Sequence, residues 1–382
     1  MTESTSTQKM PVPKVFEEIM DHKPLFILDV RNEEDYGDWK IEGDAVTSIN
    51  VPYFDLLDDL KPLDEKLPED QSVLVVCAKE GSSEYVAEQL REEGRTDVFV
   101  MEGGMKGWSQ YLHPVKAGDL PNGGSLYQFV RVGKGCLSYM IVSGKQALVV
   151  DAARMTDVYE HFAKDLGVSI EHVVDTHLHA DHISGGRKLA ASTGARYWLP
   201  PGDAERVTYD YTQLADGTTL SVGSSGVKVR ALATPGHTSG STSIVVDDKY
   251  LLSGDTLFVQ SIGRPDLAGK AGEWALDLYS SLHETYHNLS PDLHVLPAHF
   301  ATTGELDDSG RVMARLGTLF ERNSSLGVDD KAEFERMVTE NLPPQPNAYR
   351  EIREVNMGQL EVDDSAKLEE MEIGPNRCAV SD

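Results

Sequence analysis

The stretch THLHADHISGG, residues 176–186, decides the fold of the C-terminal part of this 382-residue chain. It places His177, His179, Asp181 and His182 within six residues, directly after the apolar run HVVDT, which we predict to be a strand. A loop that follows a rigid, buried strand can aim several side chains at one point. Imidazole and carboxylate groups at this density predict a metal site, and they suit Zn, Fe or Mn better than Mg or Ca.

Three further candidate ligands stand at the ends of other predicted strands. They are His237 in TPGHTSG, Asp255 in SGDTLF and His299 in LPAHF. An isolated histidine is more often a structural residue than a ligand, but that explanation does not fit so many ligand-type side chains at strand ends. We therefore predict that these strand ends carry metal chemistry, and the residues alone leave the identity and number of the ions open.

Composition limits the class of protein. Hydrophobic residues make up 40% of the chain, and 63 acidic against 35 basic residues give a formal net charge of -28. A field of this sign repels nucleic acid and anionic membrane surfaces, so we expect neither as a partner, and it suits solubility at high salt. We find no apolar run that would span a bilayer and no apolar signal segment. Cys77, Cys136 and Cys378 are too few for a disulfide framework, which predicts a cytoplasmic protein.

The order of apolar runs predicts two α/β domains. After a flexible arm at residues 1–12, strands such as LFILDV and SVLVVC alternate with helices over residues 13–114, which is typical of a small parallel α/β domain. KAGDLPNGGS is rich in Gly and Pro and predicts a linker at residues 115–124. Closely spaced strands then predict a sheet sandwich with flanking helices over residues 125–382, ending in a helical, acidic extension.

The H-x-H-x-D-H run, TPGHT, the later Gly-Asp and the last histidine together resemble the metallo-β-lactamase superfamily over roughly residues 125–300. This resemblance implies a four-layer αββα sandwich with a metal site at one edge. Within the superfamily, GCLSYMI, TPGHTSGSTS and SGDTLFVQSIGRPDL are most similar to the persulfide dioxygenases and their glyoxalase II relatives.

These two relatives imply different metal chemistry. Persulfide dioxygenases hold one Fe(II) between two histidines and an aspartate, which leaves positions open for a persulfide and O2. The matching residues are His177, His237 and Asp255. Glyoxalase II enzymes hold two Zn ions and hydrolyse a thioester with a metal-activated hydroxide. In a dioxygenase, the remaining candidate ligands would orient the iron ligands and water; in a hydrolase, they would complete a second metal site. These residues are His179, Asp181, His182 and His299. The sequence leaves this choice open.

The segment GRPD after the metal-site aspartate resembles the dioxygenase signature. The resemblance implies that Arg264 holds a substrate carboxylate or a sulfur oxyanion, and a surface ion pair is the competing explanation. One feature departs from the family, since the last histidine is followed by Phe300 and Ala301 where the dioxygenases usually have Asp-Tyr.

Cys77 ends a predicted strand and precedes the loop AKEGSSEYVAEQL, which leads into a predicted helix. Loop amides and the positive end of the helix dipole would stabilise a thiolate or the outer sulfur of a persulfide there. A small buried side chain at a strand end is the alternative interpretation. Glu80 in the loop is expected to disfavour anionic sulfur donors such as thiosulfate, and Lys79 to offset this in part.

The surroundings of Cys77 favour the functional interpretation. LDVRNEEDY, INVPY and MEGGMKGW resemble the rhodanese family over about residues 12–113. Rhodaneses carry a sulfane sulfur on the loop cysteine, and Cys77 is the residue that matches. Asp29 and Arg31 match a family pair that buttresses the fold. We interpret Cys136 as core packing and find no role for Cys378 in its polar tail.

The leading hypothesis is a persulfide dioxygenase joined to a sulfurtransferase domain. It would oxidise a low-molecular-weight thiol persulfide with O2 to thiol and sulfite, while the rhodanese domain exchanges sulfur with the same pool and can form thiosulfate. The alternatives are a binuclear zinc thioester hydrolase and a sulfur-carrier or redox-sensing protein with an inert metal site. A nuclease is disfavoured because the net charge is -28 and no basic groove pattern occurs. Family resemblance also implies a homo-oligomer.

Overall fold

The N-terminal part of the chain forms a parallel sheet with helices on both faces. The structure is a computed structural model that describes residues 8–224, 226–266, 271–340, 342, 345 and 348–379. The first strands are β1 (Lys9–Met10), β2 (Leu25–Asp29), β3 (Val46–Asn50), β4 (Val73–Val76) and β5 (Val98–Met101). The accompanying helices are α1 (Val12–Met20), α2 (Glu33–Asp38), α3 (Gly81–Glu92) and α4 (Gly104–Gln110). The strands pair in parallel in the order β1-β5-β4-β2-β3, which confirms the predicted α/β domain.

Apolar spacing explains these elements. β2 is buried along its whole length, as is typical of a strand covered on both faces. Its Ile27 packs towards α1 and its Leu28 towards α3, because successive strand residues point to opposite faces. The predicted flexible arm, residues 1–12, lies mostly outside the described residues, and its last part already forms β1 and the start of α1.

A mixed sheet begins the second part of the chain. Its strands are β6 (Leu112–Asp119), β7 (Ser125–Arg131), β8 (Cys136–Ser143), β9 (Gln146–Val150), β10 (Ser169–Val174), β11 (Arg196–Leu199) and β12 (Thr212–Gln213), with helices α5 (Thr156–Leu166) and α6 (Gly186–Thr193). They pair in the order β12-β11-β10-β9-β8-β7-β6. The predicted linker at 115–124 therefore begins inside β6. Pro114 is tolerated there because β6 lies at the sheet edge, where a ladder donor can be absent.

A second sheet faces the first. Its strands are β13 (Thr219–Val222), β14 (Val227–Ala233), β15 (Thr242–Val246), β16 (Tyr250–Gly254), β17 (His294–Pro297) and β18 (Ala314–Arg315), paired in this order. The remaining helices are α7 (Ala271–Ser280), α8 (Leu316–Arg322), α9 (Lys331–Thr339), α10 (Tyr349–Asn356) and α11 (Ser365–Met371). In the part of the chain that the structure describes, no helix is both long enough and apolar enough to cross a membrane.

The two sheets form the inner layers of a four-layer αββα sandwich, as predicted. Val174 of β10 and Leu252 of β16 belong to the core between the sheets. Their neighbours Val173 and Leu251 point outward, under α5 and α6 on one side and under α7 to α9 on the other. The carboxyl ends of β10, β14, β16 and β17 are thereby brought to one edge of the sandwich.

Both domains share one hydrophobic core. Val15 and Met105 of the N-terminal domain belong to the same buried cluster as Val130 and Leu137 of the sandwich. A polar contact crosses the same boundary, where Arg131 Nε donates a hydrogen bond to the Ser109 carbonyl at 2.7 Å. The rhodanese-like domain is therefore packed against the sandwich and not merely tethered to it.

The acidic C-terminal extension is held by a buried carboxylate. Glu372, directly after α11, is fully buried, and its Oε2 lies 3.1 Å from both Arg131 Nη2 and Arg154 Nε. Its Oε1 accepts a hydrogen bond from the Ile183 amide at 2.6 Å. Burial raises the pKa of Glu372, but the two guanidinium groups outweigh it and keep that pKa below the usual value. One ionised side chain thus ties the extension to β7 and to the loop 176–186.

We expect Glu372→Gln to lower the free energy of unfolding by about 3–5 kcal/mol, because it leaves the buried Arg131 and the partly buried Arg154 without a counter-charge. Urea denaturation followed by circular dichroism measures this change. The matched control is Glu370→Gln, which changes an exposed glutamate two residues away and should shift stability by no more than about 0.5 kcal/mol. Equal denaturation midpoints for the two variants would show that the buried pair does not hold the extension.

Candidate metal centre

All seven predicted ligand residues meet at one edge of the sandwich. The loop 176–186 follows β10, while the other ligands follow β14, β16 and β17. The side chains are between 0 and 3% exposed, and they are His177, His179, Asp181, His182, His237, Asp255 and His299. Strand ends from both sheets therefore build one buried polar centre.

His177, His237 and Asp255 form a three-residue set of the predicted iron type. One ligand atom of each lies within 4.8 Å of the others. Asp255 Oδ2 lies 3.3 Å from His237 Nε2 and 3.8 Å from His177 Nε2. A single ion could be bound by all three with small adjustments of the side chains.

The same atoms lack hydrogen-bond partners. Within the described residues, the buried and unpartnered side-chain atoms include Nε2 of His177, Nε2 of His237, Nε2 of His299, Nδ1 of His179 and both oxygens of Asp255. Burying polar atoms without partners is costly, and native structures rarely do so. A cation bound among them would satisfy these atoms together. The donor set of imidazoles and a carboxylate fits Zn, Fe or Mn.

Hydrogen bonds on the far side of each imidazole aim the free nitrogen at this centre. His237 Nδ1 donates to the Arg264 carbonyl at 2.9 Å, and His177 Nδ1 lies 3.0 Å from Thr176 Oγ1. His179 is turned the other way, since its Nε2 lies 3.2 Å from Asp151 Oδ1 and its Nδ1 is free. Such outer contacts are a regular feature of histidines that bind metals.

Electrostatics set His177, His237 and Asp255 in the protonation states that metals require. Burial lowers the pKa of His177 and His237 below the usual value, which keeps both imidazoles neutral. Burial alone would raise the pKa of Asp255, but the surrounding imidazoles outweigh it and hold that pKa well below its usual range. The centre therefore offers neutral nitrogens and an ionised carboxylate.

Asp181 organises a second cluster beside the first. Its Oδ1 lies 3.0 Å from His182 Nδ1, and its Oδ2 lies 3.5 Å from His299 Nε2. Cys136 Sγ donates to the same Oδ2 at 3.3 Å. The interpretation of Cys136 as core packing was therefore incomplete. The side chain is buried as expected, but its thiol faces Asp181 because the turn before β8 reaches the metal edge.

Two aspartates that sequence reasoning missed position the ligand loops. Asp151, at the end of β9, accepts hydrogen bonds from the amide and hydroxyl of Thr176 at 2.7 and 2.9 Å. Asp203 accepts from the Leu178 amide and the Thr238 hydroxyl, and so joins the two ligand loops. The only sequence signal for either residue is an acid just after an apolar strand, as in LVVD and LPPGD.

The C-terminal tail also reaches the metal edge, a position that the polar sequence around Cys378 did not indicate. Cys378 is 1% exposed, and its sulfur lies within 4.8 Å of ligand atoms of Asp255 and His299. Arg264, the predicted substrate-binding cation, is buried and pairs with Asp266 through Nε at 2.6 Å and Nη2 at 2.8 Å. Its Nη1 donates to the Arg377 carbonyl at 3.0 Å.

The second predicted site lies on the loop between β4 and α3. Cys77 is 5% exposed, and its Sγ lies 3.2 Å from Ser83 Oγ in the first turn of α3. A Cβ at Gly104 would lie 2.4 Å from the Cys77 carbonyl oxygen, so only glycine allows this close approach. Glu80 is paired with Lys9 and accepts a hydrogen bond from the Gly103 amide, and Lys9 lowers its pKa.

Asp29 and Arg31 form the predicted structural pair of this domain. Arg31 Nη2 lies 2.7 Å from Asp29 Oδ2, and both side chains are buried. The same Nη2 also donates to the Trp39 carbonyl at 2.6 Å, so the pair links the end of β2 to the residue after α2.

Comparison with known proteins agrees with both predicted domains. The model of the metallo-beta-lactamase superfamily matches residues 131–299. The model of the rhodanese-like domain matches residues 12–111. Human mitochondrial persulfide dioxygenase ETHE1 is 30% identical over 162 residues, 41% of this chain and 59% of that protein. A hydroxyacylglutathione hydrolase of Acidiphilium cryptum is 36% identical over 127 residues, 33% of this chain and 51% of that protein.

The aligned part thus spans less than two thirds of either relative. Among solved structures, ETHE1 from Myxococcus xanthus superposes with a TM-score of 0.53 and 25% identity, over 62% of this chain and 99% of that one. The relatives are enzymes of both expected kinds, dioxygenase and hydrolase. The chain joins a rhodanese-like domain to a domain of the metallo-beta-lactamase superfamily.

Proposed function

We propose that the protein is a persulfide dioxygenase with a fused sulfurtransferase domain. The reaction is RSSH + O2 + H2O giving RSH and sulfurous acid, which ionises to sulfite. The observation that carries this proposal is the buried set His177, His237 and Asp255, whose facing atoms have no hydrogen-bond partner. Two histidines and one carboxylate are the ligand set of mononuclear iron oxygenases.

An iron ion bound by these residues would supply adjacent open positions and a reversible one-electron change, which zinc does not offer. The chain supplies the rest. The low pKa of Asp255 keeps its charge in the centre, and Asp151 fixes the ring of His179. Burial of all ligand side chains excludes bulk water, which protects reactive sulfur species from side reactions. Asp181 and His182 form a charged pair that can hold or move a proton next to the substrate.

The rhodanese-like domain supports a sulfur substrate. We propose that Cys77 exchanges sulfane sulfur with the persulfide pool, so that its thiolate takes the outer sulfur from RSSH and RSH leaves. Transfer of that sulfur to sulfite returns the thiolate and forms thiosulfate. The loop amides before α3 and the Ser83 hydroxyl at 3.2 Å would hold the anionic outer sulfur. Packing of the two domains keeps the two sulfur sites in one body.

We keep Arg264 as a proposed substrate-binding residue, but its guanidinium already has hydrogen-bond partners within the chain. Its guanidinium is buried and shared between Asp266 and the Arg377 carbonyl. It could hold the anionic end of a substrate only when the tail residue gives up its hydrogen bond.

The second candidate function is a binuclear zinc thioester hydrolase. It is favoured by the position of Asp255, whose Oδ2 lies 3.2 Å from His299 Nε2 and 3.3 Å from His237 Nε2 and could bridge two ions. The proximity of His299 and Asp181, with nitrogen and oxygen 3.5 Å apart, would serve the second ion.

We expect air-free, Fe(II)-loaded protein to consume O2 when glutathione persulfide is added, with one sulfite formed per O2. His237→Ala should reduce the rate by more than about 100-fold, because it removes a ligand. An oxygen electrode and a sulfite assay measure both quantities. The matched control is His161→Ala, an exposed histidine on α5, which should leave the rate unchanged.

If O2 uptake is absent with glutathione persulfide, other low-molecular-weight persulfides are tested next. Absence with all of them contradicts the dioxygenase proposal. Metal analysis then separates the alternatives, since about two zinc ions per chain together with hydrolysis of a thioester such as S-lactoylglutathione would establish the hydrolase.

We expect Cys77 to acquire one sulfur atom when the protein is mixed with a persulfide under air-free conditions, as seen by intact-protein mass spectrometry. Cys77→Ala should abolish both this adduct and thiosulfate formation from persulfide and sulfite. Ser83→Ala keeps the nucleophile and loses only one hydrogen-bonding group, so it should retain the adduct. Unchanged thiosulfate formation in Cys77→Ala would refute the proposed sulfurtransferase step.

A further inference from the structure

The C-terminal tail crosses the metal edge in a fixed conformation. Beyond Glu372, the chain runs back to pair Ala379 with Gly263 in an isolated antiparallel bridge. The Arg264 amide donates to the Cys378 carbonyl at 3.0 Å, and the Cys378 amide donates to Asn376 Oδ1 at 2.8 Å. The backbone on both sides of Cys378 is thereby held in place.

This backbone position directs the sulfur of Cys378 at the metal centre. Its Sγ, an oxygen of Asp255 and a nitrogen of His299 all lie within 4.8 Å of one another. His299 Nε2 and both Asp255 oxygens are buried and lack a hydrogen-bond partner. The thiol therefore faces two ligand side chains whose buried polar atoms lack hydrogen-bond partners. A bound cation would satisfy those atoms.

The tail and the ligands are connected through one segment. The Arg264 amide donates a hydrogen bond to the Cys378 carbonyl, and the Arg264 carbonyl accepts one from His237 Nδ1 at 2.9 Å. Gly263 packs so closely on Asp255 that a Cβ there would lie 1.7 Å from the Asp255 carbonyl oxygen. The backbone of Cys378 is therefore bonded to the segment that orients the ligands His237 and Asp255, which is more than packing of a small side chain requires.

We propose that Cys378 is a metal-binding residue of this chain. Its thiolate binds an ion together with Asp255, the residue that belongs to both candidate ligand sets, with His299 beside them, and its proton is released to solvent when the ion binds. The ligand class is a divalent ion that accepts sulfur, such as Fe(II), Zn(II) or Co(II). This proposal rests on the metal centre but not on the choice between dioxygenase and hydrolase.

The assignment has a consequence for substrate access. A thiolate from the tail occupies a position that an outside thiol or persulfide would need, because both are sulfur ligands for the same ion. The last segment is tied to the rhodanese-like domain by an ion pair between Arg377 and Asp38. Substrate binding would then require Cys378 to give up the ion.

Cobalt substitution tests the assignment without relying on activity. Metal-free protein is loaded with Co(II), and visible d–d bands report that the ion is bound whatever its ligands. We expect wild type to show an additional near-ultraviolet sulfur-to-cobalt charge-transfer band, and Cys378→Ser to lose it while keeping the d–d bands. Cys136→Ser is the matched control, since it removes the other buried thiol of this edge, and it should keep the charge-transfer band.

Two results overturn the assignment. One is a charge-transfer band that persists in Cys378→Ser. The other is wild type that shows d–d bands without any charge-transfer band. Absence of all cobalt bands would instead contradict the metal centre itself, so the two failures are distinguishable.

A second measurement needs no variant. Iodoacetamide labelling followed by peptide mass spectrometry should modify Cys378 more slowly in the metal-loaded protein than in the metal-free protein. Cys77 serves as the internal reference thiol, because it lies on the loop between β4 and α3 in the other domain and its rate should not depend on the metal. Equal rates at Cys378 in both forms would contradict metal binding by its thiolate.

Discussion

Buried imidazole and carboxylate atoms without hydrogen-bond partners are the constraint on which this structure depends. Leaving such atoms unsatisfied costs on the order of several kcal/mol in total, and a bound cation removes that cost. His177, His237 and Asp255 come from three separate strand ends, so their approach is a property of the whole sandwich. Asp151 and Asp203 strengthen it by fixing the loops that carry the histidines.

A buried charge pair holds the C-terminal extension next to the site. Glu372 is fully buried between Arg131 and Arg154, and its Oε1 binds the amide of Ile183 directly after the H-x-H-x-D-H run. Breaking a buried charge pair is strongly destabilising, so the extension is held at that point. From there the tail reaches Cys378 in a few residues. The extension therefore closes the metal edge and does not simply add acidic helices.

Much of the architecture could be predicted from the sequence, because strand and helix periodicity is local. The alternating apolar runs predicted the parallel domain and the sandwich, and the strand-end histidines predicted the buried centre. The parts that failed depend on contacts between distant residues. Nothing in the polar stretch around Cys378 indicates that it folds back onto Asp255, more than one hundred residues earlier. Composition likewise misjudged residues 115–119, where β6 pairs with β7 and the Gly- and Pro-containing turn begins only after this strand.

The proposed function would place two kinds of sulfur chemistry in one packed body. Cys77 lies before α3 with its Sγ 3.2 Å from the Ser83 hydroxyl, and the metal edge is buried and rich in histidine. The central claim is that the unpaired atoms of His177, His237 and Asp255 hold one iron ion. Anomalous X-ray scattering from crystals of air-free protein, recorded above and below the iron and zinc edges, tests it directly. We predict a single iron peak within bonding distance of these three side chains. Two zinc peaks, or no peak at this position, would contradict the account.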